Sequence, residues 1–149
     1  MTSLLVLAST MMTTPVYHYP KTMTELASAQ QLVGKLPFRS RATRLKYLLA
    51  RVSRSSPRQV ANIEQQLRTK NYVITPNRFP YDLLIQYIPN CHMDVLWYNQ
   101  KAKGEIPGII QDLYISKYGR GDVIWFEHKT EFKTVKQVPH YHVIYSSAK

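Results

Sequence analysis

The spacing of apolar residues changes near residue 72, and this change limits the folds that the chain can adopt. Within residues 42–52 and 60–67, apolar residues recur at intervals of three and four, which places them on one face of a helix. The run His92–Tyr98 alternates instead, as a strand with two different faces does. Its faces are Met93, Val95 and Trp97 on one side and His92, Asp94 and Leu96 on the other. The pattern predicts helices followed by a sheet.

Three short helices are predicted in the first half. Thr22 and Glu25 have the spacing of a capping box, which predicts a helix that begins there. A second helix is predicted for Ser40–Ser53, and a third for Ser56–Asn71 with Pro57 at its first position. Together they would form a small layer with an arginine-rich outer side.

The second half predicts a compact α/β unit. The expected elements are strands at Tyr72–Ile74, His92–Tyr98, Asp122–Phe126 and His140–Ser146, and a helix from about Ile106 that ends at Gly119. The fold class is therefore α+β, a small mixed sheet with one covering helix. We expect two parts: a basic helical N-terminal extension over residues 1–70 and a small α/β domain over residues 71–149.

Positive charge is concentrated in the first half. Residues 1–70 hold 11 Lys and Arg against two acids, whereas residues 71–149 hold nine against seven. This asymmetry predicts an anionic partner, namely an acidic protein surface, ribosomal RNA or an anionic lipid surface. An ordinary solvated face is the other interpretation. The residues expected to contact the partner are Lys35, Arg39, Arg41, Arg44, Lys46, Arg51, Arg54, Arg58 and Arg68.

Four sequence blocks between residues 77 and 145 occur in a recognisable order. They are Asn77–Tyr81, His92–Trp97, Asp122–Phe126 and Phe132–Val143. In this order they resemble the N-acetylglucosamine-induced protein family, a small eukaryotic domain of unknown function. The matching positions are Asn77, Phe79, Pro80, Tyr81, Trp97, Trp125, Phe126 and Lys133. The resemblance implies a fold but no reaction, and Arg78 stands where relatives usually carry an acid.

Two pairs of polar residues on predicted strands are the candidates for chemistry. They are His92 with Asp94, and His140 with His142. If the two strands lie side by side in register, all four side chains converge and would suit a divalent metal ion, proton transfer or a sugar phosphate. We favour the alternative, in which they are half-buried sheet residues, and we expect no cofactor.

The strand aromatics also allow two interpretations. They are Trp97, Trp125, Phe126, Tyr141 and Tyr145. Aromatic sheet faces can stack on bases or sugars. We expect these side chains to pack in the core beneath the helix from Ile106 instead.

The function predicted from these features is structural. The chain has no apolar run of the roughly 20 residues needed to cross a bilayer, and its single cysteine suits a reducing compartment. Residues 1–20 lack acids and are rich in Ser and Thr, as transit peptides are, which favours mitochondria over the cytoplasm. We predict a non-catalytic accessory subunit of a respiratory-chain complex or the mitochondrial ribosome. The alternatives are an amino-sugar or sugar-phosphate binding protein or enzyme, and an RNA-binding protein.

Overall fold

A computed structural model describes residues 17–29, 37–53, 55–127 and 138–147. Its regular elements are α1 (Met23–Ala29), α2 (Arg41–Val52), α3 (Ser55–Gln66), β1 (Tyr72–Pro76), β2 (Cys91–Tyr98), α4 (Ile106–Ile110), α5 (Ser116–Tyr118), β3 (Val123–Phe126) and β4 (His140–Ser146). A π-helical turn, Gln111–Ile115, joins α4 to α5, and we call the whole run 106–118 the crossover helix. The predicted α+β class, with helices ahead of the sheet, is confirmed.

The four strands form one sheet in the order β1-β2-β4-β3. Each neighbouring pair is antiparallel, so the sheet is not mixed in its pairing. The reason is the position of β4: β2 and β3 run in the same direction and are linked by the crossover helix, but β4 inserts between them. Two parallel strands joined by a helix are thereby separated by a strand antiparallel to both.

The crossover helix covers one face of the sheet. Its Ile106, Ile110 and Tyr114 are buried against Leu96 of β2 and Val143 of β4. Pro107 lies in the first turn, and Gly119 follows the last turn with a φ of 100°, a conformation open to glycine. The predicted helix and its predicted end are both confirmed.

Helices α1 and α3 cover the other face. Met23 and Leu26 of α1 pack with Met93, while Ile63 of α3 packs with Trp97. The sheet thus has helices on both faces, where the sequence suggested a single covering helix. Because these clusters join residues on both sides of residue 70, the helical first half contributes directly to the core.

Local sequence signals predicted the start of α1 but not the end of β1. Thr22 Oγ1 accepts a hydrogen bond from the Glu25 N–H at 3.1 Å, as the capping box predicted. Strand β1 continues through Thr75 and Pro76, two residues beyond its predicted end at Ile74. Strand β1 lies at the edge of the sheet. A proline is tolerated there because the side of the strand without a neighbour needs no N–H donor.

None of the helices in the described ranges is long and apolar enough to cross a membrane.

Candidate docking surface

Helix α2 contacts the rest of the protein through the side that carries Thr43, Tyr47 and Ala50. Ala50 is its buried residue. The Thr43 hydroxyl donates to Asp82 Oδ2 at 3.0 Å, and the ring of Tyr47 meets that of Phe79 edge-on with 5.3 Å between centroids. These contacts determine which face of the helix points inward.

The start of α2 is fastened by the same carboxylate. The Ser40 N–H donates to Asp82 Oδ1 at 2.8 Å, and Ser40 Oγ accepts from the Thr43 N–H at 3.2 Å. Burial of Asp82 opposes its ionisation, but the hydrogen bonds from Ser40 and Thr43 together outweigh burial and hold the pKa of Asp82 below its ordinary value. An ionised Asp82 therefore holds both the cap and the first turn.

The opposite side of α2 presents an apolar stripe to solvent. Its members are Leu45 (57% exposed), Leu48 (49%), Leu49 (58%) and Val52 (83%), and we call them the α2 stripe. Among the described residues, the other exposed large hydrophobic side chains are Tyr17, Tyr87 and Leu113. Exposed apolar residues that cluster in this way mark interaction sites, whereas single ones are ordinary.

The sequence predicted an arginine-rich outer side for the helical layer. The structure adds the α2 stripe to that side, because the inward positions of the helix are taken by Thr43, Tyr47 and Ala50. Arg41, Arg44 and Arg51 are exposed on the same helix, and α2 contains no acidic residue. The result is an apolar surface bordered only by positive charge from its own helix.

A groove of about 670 Å³ lies at the C-terminal end of the stripe. Its lining is Lys46, Leu49, Ala50, Val52, Ser53, Ser55, Arg78 and Phe79. Arg78 is held in place there: its Nη2 donates to Ser55 Oγ at 3.1 Å, and its guanidinium carbon lies 5.1 Å from the centroid of the Phe79 ring. Arg78 was not among the residues predicted to contact a partner.

Arg39, which was predicted to contact an anionic partner, makes contacts within the protein. Its Nε donates to the Phe79 carbonyl at 2.7 Å, and its guanidinium carbon lies 4.8 Å from the Tyr81 ring centroid and 5.5 Å from that of Tyr47. A guanidinium held between two rings is a structural clamp. Arg39 therefore joins α2 to the block 77–81 and is not a free cation. Arg58 and Arg68 are exposed on or just after α3, whereas Lys35 and Arg54 lie outside the described residues.

The positions that carry the sequence resemblance serve mainly to hold the fold. Asn77 Oδ1 accepts the Phe79 N–H at 2.9 Å, and Trp97 Nε1 donates to Thr75 Oγ1 at 2.9 Å. Tyr81 is buried, and burial raises its pKa to about 12 although Arg39 acts in the opposite direction. Lys133 lies outside the described residues.

The four residues considered for chemistry do not converge. In the pairing of β2 with β4, His92 is opposite Tyr145 and Asp94 is opposite Val143, whereas Val95 is opposite His142 and Trp97 opposite His140. Paired residues share a face of an antiparallel sheet. His92 and Asp94 therefore lie on the face of the crossover helix, and His140 and His142 lie on the face of α1 and α3. The predicted four-residue site is not formed, because the register places the two pairs on opposite faces.

Each pair has its own local contacts. The Tyr114 hydroxyl donates to Asp94 Oδ2 at 2.7 Å; burial raises the pKa of Asp94, with Tyr114 and then His92 partly opposing that effect. On the other face, the Val138 carbonyl can only accept, so His140 Nδ1, 2.9 Å away, is the donor. No three His, Cys, Asp or Glu residues are grouped to hold a metal ion within the described ranges.

The strand aromatics are divided between the two faces. Trp125, Tyr141 and Tyr145 pack in the cluster beneath the crossover helix, as predicted. Trp97 packs with α3, and Phe126 lies in the cluster with α1. The prediction that all five lie beneath one helix is wrong for these two, because alternation along β2 and β3 turns them to the other face.

Comparison with known proteins places these features in a family. Residues 17–146 match the family described as "Protein of unknown function (DUF3605)", so the match includes α1, α2 and α3 as well as the sheet. A search of curated proteins returns no significant match. The crystal structure of HTC1 is similar in fold, with a TM-score of 0.58 and 18% sequence identity over 82% of this chain and 81% of that one. The family match spans nearly the whole chain, and the chain therefore belongs to the DUF3605 family of proteins of unknown function.

Proposed function

We propose that this protein is a non-catalytic accessory subunit that docks onto a large assembly through helix α2. The observation that carries the proposal is the α2 stripe, four exposed apolar side chains on a helix whose inward face is fixed by Asp82. A respiratory-chain complex or the mitochondrial ribosome is the proposed setting, on the grounds of the basic first half and the acid-poor residues 1–20.

The stripe is large enough to contribute substantially to an interface. Full burial of one Leu or Val side chain stabilises by roughly 1.5 to 3 kcal/mol. The four side chains are between 49% and 83% exposed, so a partner that covers them gains part of this energy from each one. Interfaces commonly concentrate their binding energy in a few side chains, among which arginine is enriched, and Arg44 and Arg51 lie beside the stripe.

The alternatives receive less support from the same geometry. A small-molecule site would have to use one pair alone, either His92 with Asp94 or His140 with His142, because the register separates them. An RNA-binding surface would place the exposed arginines on phosphates, but it would leave the leucines of α2 without an apolar partner. Docking to a protein uses both kinds of side chain.

The proposal also includes an evolutionary origin, which rests on the likeness of residues 77–145 to the N-acetylglucosamine-induced proteins. Asn77, Tyr81 and Trp97, which carry that likeness, contact neighbouring parts of the fold. Residues with such internal contacts would maintain the fold even where the residues on its surface differ. We therefore propose that the scaffold descends from that family and that α2 supplies the docking function.

The test is fractionation of the tagged full-length chain by size under native conditions, from membranes and from soluble lysate. We expect the natural protein to migrate with a large assembly, and the variant Leu45→Gln/Leu49→Gln to migrate as free protein. Glutamine keeps helix propensity while removing apolar surface. Leu113→Gln, on the crossover helix, is the matched control and should stay with the assembly. Migration of the natural protein as a free monomer, or unchanged migration of the double variant, would contradict the proposal.

A further inference from the structure

The shape of the surface around α2 indicates what kind of element covers it. The stripe belongs to a 12-residue helix, which is about 18 Å long. The groove begins where the stripe ends, since Leu49 and Val52 belong to both. A ridge of side chains beside a groove is the geometry into which a second helix packs.

Cations lie on both sides of the stripe. With 100° between successive residues, Arg44 and Arg51 fall on one side of it, and Lys46 falls on the other. Arg41 on the stripe and Arg78 at the groove bring the number of positive charges to five. A partner without acids would desolvate several of these charges with nothing to pair them.

Arg41 distinguishes a protein partner from a bilayer. It lies four residues before Leu45 and seven before Leu48, which puts it on the same face of the helix as the stripe. The acyl layer of a membrane offers no acceptor at that position, whereas a carboxylate on a partner helix does. The open groove supports the same choice, because an apolar side chain of a partner helix can enter it, whereas a bilayer presents a flat surface.

We propose that the partner segment is an amphipathic helix that lays an apolar stripe along α2, places one apolar side chain in the groove beside Phe79, and carries Asp or Glu on both flanks. This inference rests on the proposed docking function and adds the chemistry of the partner. The acids pair with Arg41, Arg44 and Arg51 on α2 and with Lys46 and Arg78 at the groove.

The inference is tested by photo-crosslinking followed by a binding titration. A photoreactive amino acid replaces Leu48 in the full-length chain in cells, and the same replacement at Leu113 is the control. The crosslinked segment is identified by mass spectrometry and then synthesised. We expect a segment with apolar residues at helical spacing and acidic flanks, captured from position 48 and not from position 113.

The synthetic peptide is then titrated against the purified protein. Because exposed charge pairs are screened by salt, we expect its affinity to fall about tenfold between roughly 50 and 300 mM salt. The Leu49→Gln variant should bind about tenfold more weakly or worse, as loss of an anchor does. Arg44→Gln/Arg51→Gln should bind more weakly at low salt and show a smaller dependence on salt.

Several results would overturn the inference. They are crosslinks from position 48 to lipid, to RNA or to a second copy of this chain, a captured segment without acidic flanks, and a peptide affinity that does not change with salt. If Leu45→Gln/Leu49→Gln still releases the protein from a large assembly, these results would overturn only the partner chemistry and leave the docking function standing. Absence of crosslinks at position 48 together with unchanged fractionation would overturn both.

Discussion

The Thr43 hydroxyl donates to the Asp82 carboxylate at 3.0 Å, and this contact fixes the direction in which α2 faces. The two residues are 39 positions apart in sequence. Since the same carboxylate accepts the Ser40 N–H at 2.8 Å, Asp82 holds the start of the helix at two points. The leucines of α2 point outward because Ser40 and Thr43, on the other side of the helix, are bonded to Asp82.

Replacing Asp82 by Asn should weaken this attachment. An amide accepts less strongly than a carboxylate, so we expect Asp82→Asn to lower the free energy of unfolding by about 1 to 2 kcal/mol at pH 7. The measurement is urea denaturation followed by circular dichroism. Asp112→Asn, at an exposed carboxylate on the crossover helix, is the control and should change little.

The Asp82 effect should also depend on pH. The pKa of Asp82 is lower in the folded protein than its ordinary value of 3.8, so the stabilisation is fully present above that value and is lost as pH falls through the folded pKa. The difference between the natural protein and Asp82→Asn should therefore shrink below about pH 4. A difference that grows as pH falls would contradict this assignment.

Asp94 should behave in the opposite way. Burial raises its pKa above 3.8 in the folded protein, so the folded state binds the proton more tightly than the unfolded state does. Ionisation of Asp94 then lowers stability as pH rises from about 4 through the folded pKa. We expect Asp94→Asn, which keeps an acceptor for Tyr114, to gain stability relative to the natural protein over that range. Denaturation at a series of pH values tests this, and a constant difference would count against it.

Substitutions at Ile63 and Leu48 test whether α3 belongs to the core while the α2 stripe does not. Ile63 of α3 is 2% exposed and Leu48 of α2 is 49% exposed. Ile63→Ala should lower the free energy of unfolding by about 2 to 5 kcal/mol, because it leaves a cavity between α3 and the sheet. Leu48→Ala should change it by less than about 1 kcal/mol. Equal effects in denaturant titrations would mean that the first half does not share the core as described.

Arg39 and Arg41 provide another matched pair. Lysine lacks the Nε donor that Arg39 directs at the Phe79 carbonyl and cannot stack in the same way on Tyr81. Arg39→Lys should therefore reduce stability by about 1 to 3 kcal/mol, whereas Arg41→Lys should be neutral. If both are neutral in thermal denaturation, Arg39 is not a clamp.

Local sequence signals predicted most of the elements. The alternation in His92–Tyr98 predicted β2 to within one residue, and His140–Ser146 is observed as predicted for β4. The sequence could not predict which face of the sheet each histidine lies on, because that depends on the register between β2 and β4. An alternating pattern defines two faces for each strand, but only pairing determines which faces coincide.

The orientation of α2 could not be predicted from the sequence either, because it also depends on long-range contacts. Its apolar stripe has the spacing of a buried helix face, and nothing within residues 40–53 indicates that the stripe is left exposed. The contacts that decide the matter come from Phe79 and Asp82, which lie in the connection between β1 and β2. A long-range polar contact of this kind leaves no periodic signal in the sequence.

The most direct test of the docking surface is covalent footprinting of side chains in the native assembly and in the free purified chain. We expect the four residues of the α2 stripe to be strongly protected from labelling in the assembly, while Leu113 on the crossover helix is labelled equally in both. Equal labelling of Leu45, Leu48, Leu49 and Val52 in the two samples would contradict the proposal that α2 docks.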